Sequence, residues 1–213
     1  MTAAPSTSVA HADLMDTTYR RQRHIYDGTR KYFLLGRDHL IRNLDPPAGG
    51  RVLELACGTG RNLARIGQAY PGRRLYGLDI SAEMLRSASG RLGRSAFLAA
   101  GDASSFDGED VFGTPRFDRI VLSYSLSMIP DWTATLHNAV RHLAPNGQLH
   151  IVDFGGQDRL PGWFRAGLFS WLGRFHVQPR LDLHATLLAT AGDGLEWQAL
   201  HRGYAQYAIA RSP

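Results

Sequence analysis

The sequence predicts an α/β fold: a mostly parallel sheet with helices on both faces, an antiparallel hairpin at the C-terminal end and a helical lid at the N-terminal end. Two observations carry this. From Arg51 onward, short apolar runs alternate with segments of helical spacing, the order that builds parallel strands joined by crossover helices and a sheet covered on both sides. The tail departs from it. LEWQALHRGYAQYAIA at 195–210 reads as two strands around a His201-Arg202-Gly203 turn with no helix between them, which fits a hairpin.

The elements follow in order. Residues 13–44 have helical spacing dense in arginine and aromatics and end at the breaker cluster Asp45-Pro46-Pro47-Ala48-Gly49-Gly50. RVLELA (51–56) is the first strand, followed by glycines and by helical spacing from Arg61 to Ala69. RRLYGLDI (73–80) is the second strand, with Ser81 placed to cap the next helix. SAFLAAGD (95–102) and FDRIVLSYS (117–125) are the third and fourth. A helix over 131–143 ends at Ala144-Pro145-Asn146-Gly147, and QLHIVDF (148–154) is the fifth strand.

Composition bounds the function. At 213 residues, 44% hydrophobic and 20% charged, the chain suits one globular domain with a full core. Three segments are expected: a disordered lead-in at 1–13, a helical lid at 14–48, and a main domain at 49–213 with an aromatic insertion at 160–178. Cys57 is the sole cysteine, so no internal disulfide framework exists and a reducing cytoplasm is expected. No stretch reaches the roughly 18–20 apolar residues that cross a bilayer. The N-terminus lacks the basic start and apolar run of a secretory signal. The net charge of +5 is almost all arginine, Lys31 being the one lysine. The arginines are scattered, without a nucleic-acid-binding motif, so no nucleic-acid partner is expected. Nine histidines occur, none in ligand spacing with a second His or Cys, so no metal site is expected.

Open α/β sheets bind ligands at the carboxyl ends of their strands. The first such end reads Glu54-Leu55-Ala56-Cys57-Gly58-Thr59-Gly60. Gly58 and Gly60 permit a tight turn and leave room for a ligand. A dinucleotide fingerprint would place a small residue at 63, where Leu63 stands, and no Gly-Lys-Ser/Thr follows for a phosphate loop. Asp79 ends the second strand, 21 residues after Gly58, where a carboxylate can accept both ribose hydroxyls. Asp102 and Ala103 follow the third strand, where a carboxylate can meet an adenine amino group. Taken singly, Glu54 reads equally as an ion-pair residue and Asp79 as a helix cap. Their occurrence at successive strand ends favours one nucleoside-binding rim.

Across about 51–154 these features resemble the class I S-adenosylmethionine (SAM)-dependent methyltransferases, a Rossmann-like fold with a seven-stranded sheet. The resemblance implies SAM as cofactor and S-adenosylhomocysteine as product. It places Glu54 near the methionyl part, Gly58 and Gly60 beside the carboxypropyl group, Asp79 on the ribose, and Ile80, Asp102 and Ala103 around the adenine. Tyr19, Arg37, Met84 and Ser123 complete the expected cofactor set. Ala56 is the departure, because the family often has a glycine there.

Two segments outside this frame bear on the acceptor. In 19–38, Tyr19, Tyr26 and Phe33 recur every seven residues on one helical face, with Arg23 and Arg30 beside it. The segment reads either as an amphipathic cap on the sheet or as a lid whose tyrosines face the reacting centre. In the insertion, Phe164, Leu168, Trp171, Leu172 and Phe175 make a broad apolar face, with Trp163, Arg165 and Arg174 near its ends. It reads either as core or as a surface for a membrane interface or lipid cleft. YRRQRHIYDGTRKYFLLGRDHLI (19–41), ELACGTGRN (54–62) and LPGWFRAGLFSWLGRFHVQPR (160–180) together resemble the bacterial diacylglyceryl-homoserine N-methyltransferases of betaine-lipid synthesis, over about 14–210.

That resemblance implies three N-methylations of a lipid homoserine headgroup at a peripheral membrane surface. It also implies a partner enzyme that transfers the aminocarboxypropyl group of SAM to diacylglycerol. Tyr26 and Tyr124 are the candidates to line the acceptor site and to favour its positive charge through their ring faces. Asp153 is the candidate to orient the amine, Arg37 to pair with a carboxylate, and His24 and His137 are lesser candidates. The rivals are a methyltransferase for another amine or a quinone, and a catalytically silent SAM-fold subunit. A nucleic-acid methyltransferase would usually show an Asn/Asp-Pro-Pro-aromatic motif where Ser123-Tyr124-Ser125-Leu126 stands.

Overall fold

The computed structural model describes residues 34–175, 177–191 and 194–211. The lead-in, most of the expected lid, Tyr19, His24 and Tyr26 lie outside the described residues. The element order is α1 (Arg37–Arg42), β1 (Arg51–Leu55), α2 (Arg61–Ala69), β2 (Arg74–Asp79), α3 (Ala82–Leu92), β3 (Ala96–Ala100), α4 (Gly108–Phe112), β4 (Phe117–Ser123), α5 (Trp132–Arg141), β5 (Leu143–Phe154), α6 (Gly162–Gly173), α7 (Leu183–Ala191), β6 (Leu195–Leu200) and β7 (Ala205–Arg211). The strands form one seven-stranded sheet in the order β3-β2-β1-β4-β5-β7-β6. β1 to β5 pair in parallel, and β7 is antiparallel to both β5 and β6. This is the expected α/β sheet with its C-terminal hairpin.

Strand alternation divides the core into two layers. Val52, Val121, Val152 and Phe154 face a layer with Leu40, Leu63, Ile66, Leu92, Leu168 and Leu172, from α1, α2, α3 and α6. Leu53, Leu55, Ile120, Leu122, Leu149 and Ile151 face the other, with Leu136 of α5 and Leu183 and Leu187 of α7. β3 is one of the two edge strands, and its Phe97 is 62% exposed while stacking on Tyr76.

Capping is set locally. Ser81 Oγ accepts from Met84 N at the start of α3, as its position predicts, and Asp131 Oδ1 accepts from Ala134 N at the start of α5. In the hairpin turn, His201 and Arg202 both have positive φ (51° and 60°), the backbone that matches the twist of paired strands.

Three features differ from the sequence reading. Helical spacing runs unbroken across 13–44, yet α1 begins only after Gly36, whose φ is 92°. A Cβ there would lie 3.0 Å from Leu200 and Val152, so the close passage over β5 and β6 sets the break. The Ala144-Pro145-Asn146-Gly147 cluster ends no helix. Leu143 already pairs with Phe117 and Gln148 pairs with Arg119, so the cluster is a bulge inside β5. The helices α4 and α7 are also additional. The former is a short turn capped by Asp107, and the latter buries Leu183 and Leu187 while Leu188 is half exposed, so no clean polar face marks it in the sequence.

Leu53→Ala, at a fully buried β1 position, should lower unfolding stability by about 2–5 kcal/mol. Phe97→Ala, on the exposed edge, should cost about 1 kcal/mol or less. Denaturant melts of the two variants measure both, and equal losses would contradict this division of core and edge.

Candidate functional site

The register brings the carboxyl ends of the parallel strands level. Leu55 lies opposite both Leu78 and Leu122, Asp79 opposite Ala100, and Ser123 opposite Val152. Glu54, Ala56, Gly58, Gly60, Asp79, Ile80, Asp102, Ala103 and Ser123 therefore fall along one rim. Ala56, Gly58, Ile80, Asp102 and Ser123 are half-buried there.

The loop after β1 is held in an unusual backbone. Ala56, Gly58 and Gly60 have φ of 52°, 56° and 71°. For an alanine this left-handed conformation costs about 1–2 kcal/mol, so the residue that departs from the family pattern adopts the backbone a glycine would take. Three bonds hold the loop. Cys57 N donates to Leu78 O at 3.0 Å, Gly60 N to Cys57 O at 3.0 Å, and Gly58 N to Asp79 Oδ2 at 2.7 Å. The two glycines do different work. A Cβ on Gly60 would lie 2.7 Å from Leu92 Cδ1, so that glycine lets the loop pack on α3. A Cβ on Gly58 would meet nothing within 4 Å, so its backbone faces open space.

Asp79 is buried at the end of β2 and its second oxygen, Oδ1, accepts from Ser81 N at 2.9 Å. One carboxylate thus ties the β1 loop to the start of α3. Asp102 Oδ1 accepts from both Ser104 N and Ser104 Oγ, which shapes the turn after β3. Ala103 and Met84 are buried behind these turns.

Glu54 is a strongly perturbed group of the rim. It lies 2% exposed on the α1–α2–α3 face, and Asn62 Nδ2 donates to its Oε1 at 2.7 Å. Its Oε2 is buried without a hydrogen-bond partner among the described residues. Burial raises its pKa to about 8, against the pull of the Asn62 bond and of the Arg37 guanidinium. Arg37, buried in α1, is thus brought into the electrostatic reach of Glu54.

Beside β4 and β5 the polar groups are arranged differently. Asp153 is fully buried; its Oδ2 accepts from Ser127 N at 3.1 Å and its Oδ1 from its own neighbour Phe154 N at 2.7 Å. Burial raises its pKa to about 6. Tyr124 has φ 55° and is 2% exposed. Its hydroxyl donates to Leu35 O, and its ring packs edge-on to Phe154. Its pKa is pushed well up by burial. Its oxygen therefore anchors the segment entering α1. The Ser123 and Ser125 hydroxyls are buried without a partner among the described residues. His137 is exposed on α5.

Sequence reasoning missed Asn62, Arg180 and Gln206. Arg180 donates to Leu126 O at 3.0 Å and Ile129 O at 2.9 Å, and Gln206 donates to Arg180 O at 3.0 Å. These bonds tie the return from α6 to the loop after β4. Only Asn62 left a trace in the sequence, as a polar residue in the first turn of an otherwise apolar-faced helix.

The sequence matches the family described as "Methyltransferase domain" over residues 53–149. It is 30% identical to the ubiquinone/menaquinone biosynthesis C-methyltransferase of Syntrophotalea carbinolica, over 66% of this chain and 57% of that one. It is 32% identical to the demethylmenaquinone methyltransferase of Beutenbergia cavernae, over 78% of this chain and 64% of that one. The chain thus spans about three-fifths of the length of these curated relatives. In three dimensions it is similar to Haemonchus contortus phosphoethanolamine N-methyltransferase 2, solved with phosphomonomethylethanolamine and S-adenosylhomocysteine, with a TM-score of 0.75, 16% identity, and coverage of 95% of this chain and 60% of that one.

The raised pKa of Glu54 sets a pH dependence. The neutral carboxyl favours the fold, so its contribution is fully present below about pH 4.5 and is lost as pH rises through about 8. Glu54→Gln keeps a neutral amide there. Its melting temperature should match wild type near pH 4.5 and exceed it progressively toward pH 9, by about 2–4 °C for each kcal/mol removed. Parallel melting curves for the two proteins across this range would refute the assignment.

Proposed function

We propose that this chain, which carries a class I SAM-dependent methyltransferase domain, trimethylates the homoserine amine of diacylglyceryl-homoserine to give the betaine lipid diacylglyceryl-N,N,N-trimethylhomoserine. The observation that carries this reading is the position of 160–180. This segment and 19–41 hold the most specific parts of the sequence resemblance, and its described residues form α6 and a return fastened to the loop after β4 through Arg180. A helix as apolar as α6 in that place suits an amphiphilic acceptor better than a free amino acid. A second reading, methylation of a quinone, is favoured by the names of the curated relatives.

The rim fits SAM. Open space over Gly58 admits close backbone approach, and the buried Glu54 Oε2 offers an acceptor for a cationic amine. Glu54 and Arg37 would face the methionyl end, with Ala56, Gly58, Gly60 and Ser123 beside it. Asp79 would hold the ribose, and Ile80, Met84, Asp102 and Ala103 would border the adenine. Tyr19, outside the described residues, belongs to the same proposed set. When bound, SAM supplies an electrophilic methyl on a sulfonium for in-line displacement by the acceptor.

The protein has to position two reactants and leave the attacking nitrogen unprotonated. Tyr26, outside the described residues, is proposed to line the acceptor site. Asp153 acts through the Ser125–Ser127 loop that its carboxylate fixes, so it is a positioning residue. Tyr124 positions the chain entering α1 through Leu35 O. The proposed partner enzyme would supply the lipid amine by aminocarboxypropyl transfer.

Two measurements test this. Asp79→Ala removes both the proposed ribose acceptor and the tie to Gly58 N, and should weaken SAM binding tenfold or more, about 1.4 kcal/mol. Unchanged affinity in calorimetry would remove Asp79 from the site. The purified protein, incubated with SAM and with diacylglyceryl-homoserine, phosphatidylethanolamine or demethylmenaquinone in turn, should add up to three methyl groups to the homoserine lipid, read by mass. Methylation of the quinone alone would replace the first reading with the second.

A further inference from the structure

We infer that the outer side of α6, with the arginines around it, is a docking surface for an anionic lipid bilayer. α6 carries one charged residue, Arg165, in GWFRAGLFSWLG. Its inner side is spent on the core through Leu168 and Leu172. Its outer side sets two tryptophans among small residues, with Arg165 the one charge. Trp163 is 77% exposed and Trp171 36% exposed, where a soluble helix would carry charge. No helix of the described residues is long and apolar enough to cross a membrane, so the helix can lie only on one.

Charge selects the occupant. Between Asp158 and Asp182 the chain has four arginines and no acidic residue. Arg159, Arg165 and Arg174 are exposed. Arg165 lies over the Phe169 ring, 5.5 Å from its centroid. Exposed tryptophans flanked by arginines, with no acid among them, match the headgroup layer of an anionic leaflet.

The fold orients this surface. Before α6, Gly155 N, Gln157 N and Arg159 N donate to Tyr204 O, Gly203 O and Arg202 O of the hairpin turn. After α6, Gln178 N donates to Ser127 O and Arg180 to Leu126 O and Ile129 O. Both ends are therefore fastened to the rim at the carboxyl ends of β4 and β5. A bilayer against α6 lies beside the candidate site. The inference stands apart from the acceptor proposed above, because its test uses lipids without a methylatable amine.

The test is sedimentation with phosphatidylcholine vesicles with and without phosphatidylglycerol. The wild-type protein should bind the phosphatidylglycerol vesicles, less so at high salt, and bind pure phosphatidylcholine weakly. Trp163→Ser should weaken binding several-fold. Arg165→Gln and Arg174→Gln should each weaken it by about fivefold, with far-ultraviolet circular dichroism unchanged in all three. Absence of wild-type binding, or variants that bind like wild type, would overturn the inference. So would a concentration-dependent dimer that Trp163→Ser dissolves, since a second copy would then be the occupant.

Discussion

The rim is organised by the Asp79 carboxylate. The loop after β1 contains three left-handed residues, one of them an alanine, and such a backbone persists only where its surroundings over-determine it. Asp79 does so from the neighbouring strand by accepting from Gly58 N and Ser81 N at once. The same group thus fixes the turn that opens toward a ligand and the first residue of the next helix turn, and Gly60 lets that turn close on α3.

Two other buried carboxyls play contrasting parts. Asp153 has backbone donors on both oxygens, which limits the rise caused by burial, and it shapes the loop after β4. Glu54 has one oxygen bonded to Asn62 and the other buried with no partner among the described residues, and its pKa rises further. An incompletely satisfied buried acid is costly to a fold. Strongly perturbed buried acids cluster at functional sites, and Glu54 stands at the rim where the strand ends meet.

The residues of the aromatic insertion divide between buried and exposed positions. Leu168 and Leu172 belong to the core, while Trp163 and Trp171 reach outward. The helical spacing placed Phe164, Leu168, Trp171, Leu172 and Phe175 on one broad apolar face. That pattern could not show which of the apolar residues stay exposed, since that depends on which element packs beside α6.

The sequence by itself determined the strand–helix alternation, the hairpin, the Ser81 cap and the position of Glu54, Gly58, Asp79 and Asp102 at successive strand ends. These follow from local periodicity and from residues whose conformational preferences act over a few positions. Tertiary structure decided the rest: the Asn62 bond to Glu54, the use of the Tyr124 hydroxyl by Leu35, the bulge in β5, the break at Gly36, and the fastening of α6 through Arg180 and Gln206. Each joins groups that are distant in sequence or depends on how much room a neighbouring element leaves. Burial and hydrogen-bond partnership are properties of the packed molecule, and no pattern along the chain encodes them one residue at a time.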